Sequence, residues 1–439
     1  MGALGASDRV RGGLSARPRR DVRWAALAAV AAGMACLTPG PSAIPAERLA
    51  PFTARVEAAR GLSFGRPVRG FLLPPDRLAA ELEREMRRLV DPEQWGRQEA
   101  LVRALGLIPE GVDLWEELLA LQGDAVVGYY ANVGDRLVVA LRPRGDPEAV
   151  LDDPAISDIL VHELAHALQA RHSVLFDVAL GLEGFEDLGF ALAALLEGDA
   201  VWTETRDAMR TRGVPQPDGE SYARRFDIDV ASGLPDALPW LRAMFLELYP
   251  LGYRWVAARH AERGREGLDE ALANPPMTSA ALLHPGRAEP GRREIEAPVG
   301  AFPEPCRVRA SNALGEVSLG VWLGVARPDV RGWRADRAWL LACAEQASWV
   351  WITVLDGPEA AGELASALEA RAAQRGDRVQ VRARGARVGL ASGLEASALD
   401  SLLAGVRVEH HPDLAAWVAA HPEVLSRARE IRRERLRKP

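Results

Sequence analysis

The stretch SDILVHELAHALQARH, residues 157–172, places a glutamate between two histidines within an apolar run. Apolar residues occupy most sides of its helical projection, which predicts a helix largely surrounded by protein. His162 and His166 are four residues apart, so they lie on nearly one face of that helix, separated by roughly 6 Å along its axis. Glu163 lies about 100° around the axis from His162. Both imidazoles can therefore reach one metal ion, with Glu163 placed to act on a water molecule beside it.

A catalytic zinc ion needs a third protein ligand as well as an open position for water. The sequence LLEGDA, residues 195–200, offers Glu197 within a second apolar helix that can fold back against the first. A carboxylate among apolar neighbours is costly to bury unless it is paired or bound to a metal. These residues predict a zinc site formed by His162, His166 and Glu197. Two alternatives stay open: the histidines can be ordinary helix residues, and Glu197 can lie on the exposed edge of its helix.

The sequence before the histidines alternates between helical and strand-like patterns. Apolar residues recur at helical spacing in residues 78–90, 98–105 and 114–121. Two β-rich runs, at residues 125–130 and 136–141, flank the segment ANVGD, whose Asn, Gly and Asp suit a hairpin turn. A small β-hairpin is therefore expected shortly before the helix that carries the histidines.

Helical patterns dominate the chain after the histidines as far as residue 276. They cover residues 186–210, 239–262 and 267–273, and the sequence Asn-Pro-Pro at 274–276 ends them. A proline-rich change in composition at residues 297–305 follows, and we interpret it as a domain boundary.

Beyond this boundary the pattern is that of a small α+β domain. An apolar, aromatic run at residues 348–355 and two alternating runs at 378–384 and 387–392 predict strands. An amphipathic helix is predicted at residues 359–374. The end of the chain, residues 412–439, is helical and arginine-rich, which is typical of a solvated helix face.

These patterns together predict an α+β fold with two domains. The first is a mainly helical domain with a small β-hairpin or sheet at residues 71–297, and the second is a smaller α+β domain at residues 306–407. Residues 44–70, where prolines and glycines interrupt every pattern, are predicted to be a linker. Residues 408–439 are predicted to be a helical basic tail.

Residues 1–43 combine arginines with a short apolar run, as a secretory signal does. The apolar run at residues 24–37 is too short to span a bilayer comfortably but suits the hydrophobic region of a signal peptide. Small residues before Cys36 fit a signal-peptidase site, and Cys36 can instead be the lipid-modified first residue of a lipoprotein. We therefore predict an exported protein, periplasmic or extracellular, with membrane attachment through the N-terminus as the alternative.

Composition argues against nucleic-acid binding and leaves the state of two cysteines open. The formal net charge is −7, and no basic surplus marks the part of the chain that is expected to fold. Apart from Cys36, the chain contains Cys306 and Cys343, which either form one disulfide outside the cytoplasm or remain isolated thiols. The charge therefore removes nucleic acid from the expected partners.

Several motifs of the chain resemble those of one group of metallopeptidases. HELAHALQARH at residues 162–172, followed by LLEGDA, resembles the gluzincin clan, most closely a set of prokaryotic, often exported HExxH proteins. Four later segments match the pattern of that group more loosely: LYPLGYRWV at 248–256, PPMTSAALLHP at 275–285, GWRADRAWLL at 332–341 and WVWITVLDGPEAA at 349–361. The resemblance covers residues 128–393 and implies that the first domain is a zincin-like catalytic domain.

The resemblance also implies chemical roles for particular residues. It implies zinc ligation by three side chains, those of His162, His166 and Glu197. Glu163 becomes the general base, and His284 and Tyr253 become candidates for the residue that steadies the oxyanion. In thermolysin-like folds an edge strand before the HExxH helix pairs with the extended substrate, and residues 137–141 occupy that place in this sequence. An ordinary packing hairpin is the alternative for those residues.

The sequence therefore predicts an exported zinc-dependent metallopeptidase whose partner is a peptide or protein substrate. Ala170 and Arg171 stand where Asp and Gln are usual in the group, and Ala280 and Ala281 replace a Glu-Gln pair. These differences spare the expected zinc ligands but favour an alternative function, a catalytically retired peptidase fold that binds or scaffolds. In a third interpretation, the helix with the two histidines holds no metal.

Overall fold

The computed structural model of the chain describes residues 42–123, 127–140, 151–233, 238–287, 290–325, 328–343 and 347–437. The predicted signal segment, including Cys36, lies outside the described residues except for Ser42 and Ala43. No helix within the described ranges is both long enough and apolar enough to cross a membrane.

A four-stranded mixed sheet contains the predicted hairpin. Its strands are β1 (Ser42–Ile44), β2 (Arg69–Leu73), β3 (Gly128–Ala131) and β4 (Arg136–Ala140), and their spatial order is β1-β2-β4-β3. The pair β2–β4 is parallel, whereas the other two pairs are antiparallel. In the turn between β3 and β4, Gly134 and Asp135 have φ values of 109° and 50°, a region that Gly and Asp tolerate better than most residues. The hairpin prediction is confirmed.

The strand that we expected to meet a substrate lies inside this sheet. Residues 137–140 belong to β4, which pairs with β3 on one side and with β2 on the other. The side chains of Leu137 and Val139 are fully buried. The prediction of an edge strand at residues 137–141 is therefore wrong, because β2 from the upstream chain covers β4. Among the described strands of this sheet, β3 forms the edge on that side.

The segment predicted as a linker is folded. Helix α1 (Ala46–Arg60) occupies most of it, and Pro51 lies inside that helix. Leu49 and Val56 are buried in the same apolar core as Leu160, which belongs to the stretch with the histidines. The prolines and glycines of residues 44–70 therefore separate short structured elements and do not form a flexible connection.

Helices make up most of the remainder of the first half and confirm the helical patterns of the sequence. They are α2 (Pro75–Leu89), α3 (Pro92–Ala104), α4 (Leu114–Gly123), α5 (Pro154–His172), α6 (Leu175–Gly181), α7 (Glu186–Arg212), α8 (Gly219–Gly233), α9 (Pro239–Leu241), α10 (Leu248–Ala273) and α11 (Ser279–Leu283). A π-helical turn, Arg242–Leu246, follows α9 directly. Gly264 interrupts the helical geometry of α10 with a φ of 59°, between the two helical segments predicted there.

Helix α7 lies at the centre of this region because it packs against both α5 and α10. Its backbone meets that of α10 at two glycines: a Cβ atom added to Gly198 would lie 2.1 Å from the carbonyl carbon of Gly252. Only glycine permits so close an approach. The pair therefore fixes where α10 begins relative to Glu197, the neighbour of Gly198 in sequence.

The second half of the chain contains the strands β5 (Arg292–Glu296), β6 (Arg307–Asn312), β7 (Trp333–Ala342), β8 (Ala347–Leu355), β9 (Gln380–Arg384), β10 (Arg387–Ser392) and β11 (Arg407–His411). Five of them form an antiparallel sheet in the order β6-β7-β8-β10-β9, while β5 pairs with β11. The helices of this half are α12 (Gly315–Leu323), α13 (Pro358–Arg375), α14 (Ala396–Gly405), α15 (Leu414–Ala420) and α16 (Pro422–Arg437). Cys306 and Cys343 form a disulfide. The fold is α+β.

The two halves share one hydrophobic core. Leu251 and Leu282 from the first half pack in the same cluster as Trp322 and Trp351 from the second. Strand pairing also crosses the composition break, since β5 lies before it and β11 far behind it. The chain from Pro41 onward accordingly forms one compact unit. Residues 297–305 therefore mark a change in composition within this unit. That either half folds alone stays a prediction.

The basic tail is partly neutralised by ion pairs with the rest of the protein. Within α16, Arg427 lies 2.7 Å from Glu183 and Arg435 lies 2.9 Å from Glu85. Both partners belong to the first half of the chain. The expected solvated face therefore covers only part of this helix, and the remainder fastens the end of the chain to the first half.

Candidate metal centre

Three side chains from α5 and α7 converge on one point. The Nε2 atom of His162 lies 3.2 Å from Oε2 of Glu197, and Nε2 of His166 lies 3.5 Å from the same oxygen. The two imidazole rings are nearly perpendicular, at 84°, and their centroids are 4.9 Å apart. Within the described ranges, no other group of three His, Cys, Asp or Glu side chains is arranged in this way. The structure thus brings together the three predicted ligands.

The donor set and its spacing fit a zinc ion. Zinc binds imidazole nitrogen and carboxylate oxygen at about 2.0–2.2 Å in tetrahedral geometry, which places its ligand atoms roughly 3.3–3.5 Å apart. The Glu197 oxygen lies 3.2 and 3.5 Å from the two histidine nitrogens, near that spacing, and all three atoms lie within 4.8 Å of one another; the 3.2 Å contact is also at hydrogen-bond distance. The side chain of Glu197 is 25% exposed, so water can reach the point of convergence. An ion held there would have room for a fourth, non-protein ligand.

A chain of buried polar groups orients the ring of His166. Its Nδ1 lies 2.9 Å from Oε1 of Gln169, while Nε2 of Gln169 donates to the carbonyl of Leu196 and to Oδ2 of Asp199. Because the amide nitrogen is committed to those two acceptors, the amide oxygen must face the histidine and accept its Nδ1–H. The lone pair of His166 then lies on Nε2, the atom that faces Glu197.

Arg60 extends this chain from α1. Its Nε lies 3.1 Å from Oδ1 of Asp199, and both side chains are almost completely buried. The motif LLEGDA thereby acquires a complete local explanation: Glu197 faces the histidines, Gly198 admits α10, and Asp199 holds Gln169 through its carboxylate. The segment that the sequence predicted as a linker supplies the arginine that balances the charge of Asp199.

A second carboxylate orients the other histidine. Nδ1 of His162 lies 3.2 Å from Oε2 of Glu204, two turns further along α7 than Glu197. A carboxylate on Nδ1 holds the proton on that nitrogen and leaves Nε2 free to bind a metal, an arrangement common around metal-binding histidines. Nothing in the sequence singled out Glu204, although its spacing of seven from Glu197 on one helix is the signal that could have identified it.

Glu163 lies beside this cluster and contacts the edge strand of the first sheet. Its Oε2 accepts a hydrogen bond of 2.7 Å from the backbone N–H of Tyr130 in β3. Burial raises the pKa of Glu163 above its ordinary value, although the neighbouring His162 and His166 act in the opposite direction. A carboxylate with a raised pKa accepts a proton more readily than an ordinary carboxylate does.

The electrostatics of the cluster favour a bound cation. Burial opposes the charge of Glu197, but the neighbouring His166 and His162 outweigh it and hold the pKa of this carboxyl well below its usual range. Burial likewise opposes protonation of His162, yet its contacts with Glu197 and Glu204 raise its pKa well above the ordinary value. Three carboxylates thus surround two imidazoles, and the cluster is stabilised by positive charge.

Tyr249, which sequence reasoning did not single out, lies near the same carboxylates. The negative charge of Glu197 raises the pKa of the Tyr249 phenol, together with burial and the charge of Glu163. The residue lies in the first turn of α10, where the Gly198–Gly252 contact brings this helix against α7. A phenol that keeps its proton beside a metal site is a hydrogen-bond donor.

Tyr253, the tyrosine that the resemblance suggested, is committed elsewhere. Its hydroxyl donates a hydrogen bond of 2.8 Å to the carbonyl of Pro217, and its ring stacks on Tyr222 at a centroid distance of 4.1 Å. The residue is fully buried. Because Tyr249 and Tyr253 are one turn apart on α10, the sequence alone offered no means of choosing between them.

His284 lies in a contact between the two halves of the chain. Its Nε2 lies 3.0 Å from Oε1 of Glu316 in α12, and its Nδ1 accepts a hydrogen bond from Arg287. Its further ionic neighbour among the described residues is Asp329, at 3.9 Å. None of its described partners belongs to the metal centre, so the structure places His284 in a different cluster.

Arg171, one of the departures from the family pattern, has a structural role. Its guanidinium donates to the carbonyls of Phe64 and Arg66 and lies 3.1 Å from Oδ2 of Asp135. It therefore ties the end of α5 to the chain before β2 and to the hairpin turn. Among the other departures, Ala280 is buried in the shared core, whereas Ala170 is only partly buried.

Protein-family models, curated proteins and solved structures were all compared with this chain, and none of them matches it.

Proposed function

We propose that this protein is an exported zinc-dependent peptidase with a zincin-like catalytic domain. One observation carries the proposal: the Nε2 atoms of His162 and His166 and Oε2 of Glu197 converge at ligand spacing. The opposite nitrogens of both rings contact Glu204 and Gln169, as metal-binding histidines require. A structural cluster of histidines would need neither this convergence nor an open side.

A zinc ion held by these three side chains would supply Lewis acidity, which lowers the pKa of water and polarises a carbonyl group. Glu163 performs the proton transfers in the proposed reaction. It removes a proton from the attacking water and later gives it to the leaving amine, and its raised pKa lets it carry that proton between the two steps. The bond from the N–H of Tyr130 fixes Oε2 of Glu163, so its Oε1 is the atom available for this transfer.

Tyr249 is the donor that we assign to the oxyanion of the tetrahedral intermediate. Its phenol is held in the protonated state by the charge of Glu197 and by burial. A donor that is fixed in place before the reaction costs no reorganisation when negative charge develops on the carbonyl oxygen. Tyr253 and His284 are replaced in this role, because Pro217 and Glu316 respectively occupy their polar atoms.

The edge of β3 is the element that we assign to substrate binding. β3 is the outermost described strand on its side of the sheet, and it touches the general base through Tyr130. An extended peptide that pairs with this edge would lie beside Glu163. This assignment transfers to β3 the role that the sequence suggested for β4.

The disulfide between Cys306 and Cys343 supports export. Disulfides persist in oxidising compartments and are rare in the cytoplasm. Together with the predicted signal segment, it favours a periplasmic or extracellular location, with attachment through the N-terminus as the alternative.

Zinc content and peptide cleavage, measured on the same preparations, test the proposal. We expect about one zinc per chain in wild type and in Glu163→Gln, because Glu163 is not among the three ligands. Cleavage of a peptide library should fall by a factor of about 10² to 10⁴ in Glu163→Gln, since a positioned general base contributes on that scale. Glu363→Gln, on the exposed face of α13, is the matched control and should behave as wild type.

The other interpretations predict different results. If wild type and Glu163→Gln both contain zinc but wild type cleaves no peptide, the protein is a catalytically retired peptidase fold that binds or scaffolds. Absence of zinc from wild type would refute the metal centre itself. Equal cleavage by wild type and Glu163→Gln would leave the metal centre intact but remove Glu163 as the base.

A further inference from the structure

A second region of the molecule has the features of a binding site. A cavity of about 290 Å³ opens beside β6, and none of its lining residues belongs to the metal centre. Its charged lining comprises four arginines and two glutamates: Arg97, Arg309, Arg337, Arg427, Glu183 and Glu423. The excess of guanidinium groups in one cavity indicates that its ligand is an anion.

Two of the four arginines are already neutralised. Glu183 lies 2.7 Å from Arg427 and 3.4 Å from Arg97, so this one carboxylate holds both guanidinium groups. The arginines that remain are Arg309 and Arg337. They share the cavity lining with Glu423, which is exposed to solvent in the first turn of α16, and Arg337 also lies in the electrostatic field of Glu294, Asp336 and Glu296.

Arg337 is the centre of the cavity. Its guanidinium donates a hydrogen bond of 2.9 Å to the hydroxyl of Ser311 and lies 5.0 Å from the ring centroid of Phe185. Ser311 is its only hydrogen-bond acceptor among the described residues, although a guanidinium has five N–H donors. Burial also lowers the pKa of Arg337. Glu294, Asp336 and Glu296 act on Arg337 through space but accept no hydrogen bond from it among the described residues, so its remaining N–H donors are available to an anionic ligand.

Arg309 lies at an irregularity of β6. The register of β6 against β7 pairs Val308 with Leu341 and then Ala310 with Leu340, so Arg309 is the extra residue of a β-bulge. Bulges turn a side chain away from the regular alternation of a strand and are frequent beside functional sites. The Arg309 side chain is exposed and pairs with no other described residue.

The surroundings of this arginine suit an extended peptide. Arg309 and Arg97 also line a second, larger cavity of about 740 Å³, and Leu340, Leu341 and Ala342 of β7 form part of its apolar lining. Among the described strands, β6 pairs only with β7, and Gly184 and Asp187 bond to Ala313 just beyond its end, so the part of its other edge that is left for a partner lies around Val308 and Arg309. Val308 on this edge is 48% exposed. Backbone groups, an apolar wall and an anion site thus lie together along one strand.

We propose that this region binds the C-terminal carboxylate of an extended peptide. The carboxylate lies between Arg309 and Arg337 and accepts their free N–H donors in the forked geometry that guanidinium groups favour. The preceding residues follow the edge of β6 and place an apolar side chain against Leu340 and Ala342. Binding here needs neither zinc nor Glu163, so the site is independent of the proposed peptidase activity.

Binding of labelled peptides to the full-length Glu163→Gln protein tests the proposal, because this variant should not consume the probe. The probes are two short leucine-rich peptides of identical sequence, one with a free C-terminal carboxylate and one with a C-terminal amide. We expect fluorescence anisotropy to show at least tenfold weaker binding of the amide. In the Glu163→Gln protein, the additional substitution Arg309→Ala should weaken binding of the acid about tenfold. Arg337→Lys should weaken it to a similar extent, because lysine lacks the forked pair of N–H donors of a guanidinium.

Arg384→Ala provides the matched control. Arg384 is an exposed arginine on β9, the opposite edge strand of the same sheet, so its loss changes the net charge equally without touching the cavity. It should leave the affinity for the acid unchanged. A salt titration should weaken binding of the acid more than that of the amide.

Three results would overturn the proposal: equal binding of acid and amide, unchanged affinity in both Arg309→Ala and Arg337→Lys, or binding of inorganic phosphate by a protein that binds neither peptide. The last would identify a site for a free anion. A protein that lacks zinc and cleaves nothing, yet binds the acid in preference to the amide, would refute the peptidase and retain this site. The reverse pattern would retain the peptidase and remove the site.

Discussion

The molecule contains two histidine–glutamate clusters, one marked by sequence motifs and one formed only by long-range packing. In the metal centre, two histidines point the same ring nitrogen at one oxygen of Glu197, and their other nitrogens are held by separate partners. In the second cluster, His284 contacts Glu316 at 3.0 Å with one nitrogen and Arg287 with the other. Two histidines that converge on one carboxylate form a candidate ligand site, whereas His284 alone meets Glu316 in a contact between the two halves of the chain.

Burial separates the two clusters further. The Glu197 side chain is 25% exposed, whereas the Glu316 side chain is 0% exposed. Neighbouring histidines lower the pKa of Glu197 despite burial, whereas burial dominates at Glu316 and raises its pKa. The same oxygen of Glu316 also accepts the backbone N–H of Val330 at 2.7 Å. The second cluster therefore joins the two halves of the chain.

The largest expected difference between the clusters is in zinc content. His166→Ala should lose most of the zinc, since it removes one of three protein ligands, while His284→Ala should keep about one zinc per chain. His284→Ala should instead lower the free energy of unfolding by about 1–3 kcal/mol, because it leaves the carboxylate of Glu316 buried without its partner. Zinc analysis and urea unfolding of both variants provide the measurement. Loss of zinc from a folded His284→Ala protein would show that His284 supports zinc binding, contrary to its position in a separate cluster.

The next largest effect concerns the two tyrosines of α10. Tyr249→Phe should lower turnover on the order of 10²- to 10³-fold with unchanged zinc content, because it removes the donor assigned to the oxyanion. Tyr253→Phe should leave turnover unchanged and cost about 1 kcal/mol of stability through the lost bond to Pro217. Steady-state kinetics on both variants decide the matter. Normal turnover in Tyr249→Phe would withdraw its role, and a collapse in Tyr253→Phe would return the role to the residue that the resemblance suggested.

Local periodicity made the convergence of His162, His166 and Glu197 predictable from sequence. His162 and His166 lie on one face of a helix at any position in any fold, and Glu197 needed only a neighbouring antiparallel helix. The choice between Tyr249 and Tyr253 was beyond the sequence, since it depends on how α10 crosses α7. That crossing is set by Gly198 and Gly252, whose contact is a tertiary feature.

Long-range pairing explains the other differences between sequence and structure. β4 is an internal strand only because β2, which begins in the segment taken for a linker, pairs with it in parallel. The resemblance made His284 a candidate for the oxyanion donor, whereas its carboxylate partner, Glu316, lies beyond the composition break and carries no local signal. The helices and strands that the periodic patterns predicted are present, since those patterns report burial along one element, but α1 was not predicted.

A smaller effect is expected from the groups that hold the histidine rings of the metal centre. Gln169→Met keeps the volume of the side chain but removes the acceptor for Nδ1 of His166, so zinc affinity should fall about 10- to 100-fold. Competition with a chelator measures this affinity on protein that is shown to be folded by circular dichroism. Gln374→Met, at an exposed position of α13, is the control and should bind zinc as wild type does. Unchanged affinity in Gln169→Met would show that His166 needs no such support.

The smallest expected effect is the pH dependence of the second cluster. Because burial raises the pKa of Glu316 in the folded protein above its value in the unfolded chain, the native state binds this proton more tightly. The resulting stabilisation is complete below the unfolded pKa and is lost as pH rises through the folded pKa. Glu316→Gln cannot take up the proton, so the stability of wild type relative to this variant should increase as pH falls from 8 to 5.

The charged groups around Glu316 are His284, Arg287 and Asp329, and they are present in both proteins. We expect a change on the order of 1 kcal/mol, the scale of one buried polar contact. Urea unfolding at a series of pH values measures it, and titrations of groups that do not interact with Glu316 cancel in the difference. The metal centre should show the opposite behaviour, because ligand histidines must be neutral and zinc is released as pH falls. A stability difference between wild type and Glu316→Gln that shrinks towards low pH would mean that Glu316 stays ionised in the folded protein. Glu316 would then be ionised like Glu197, although its side chain is more deeply buried.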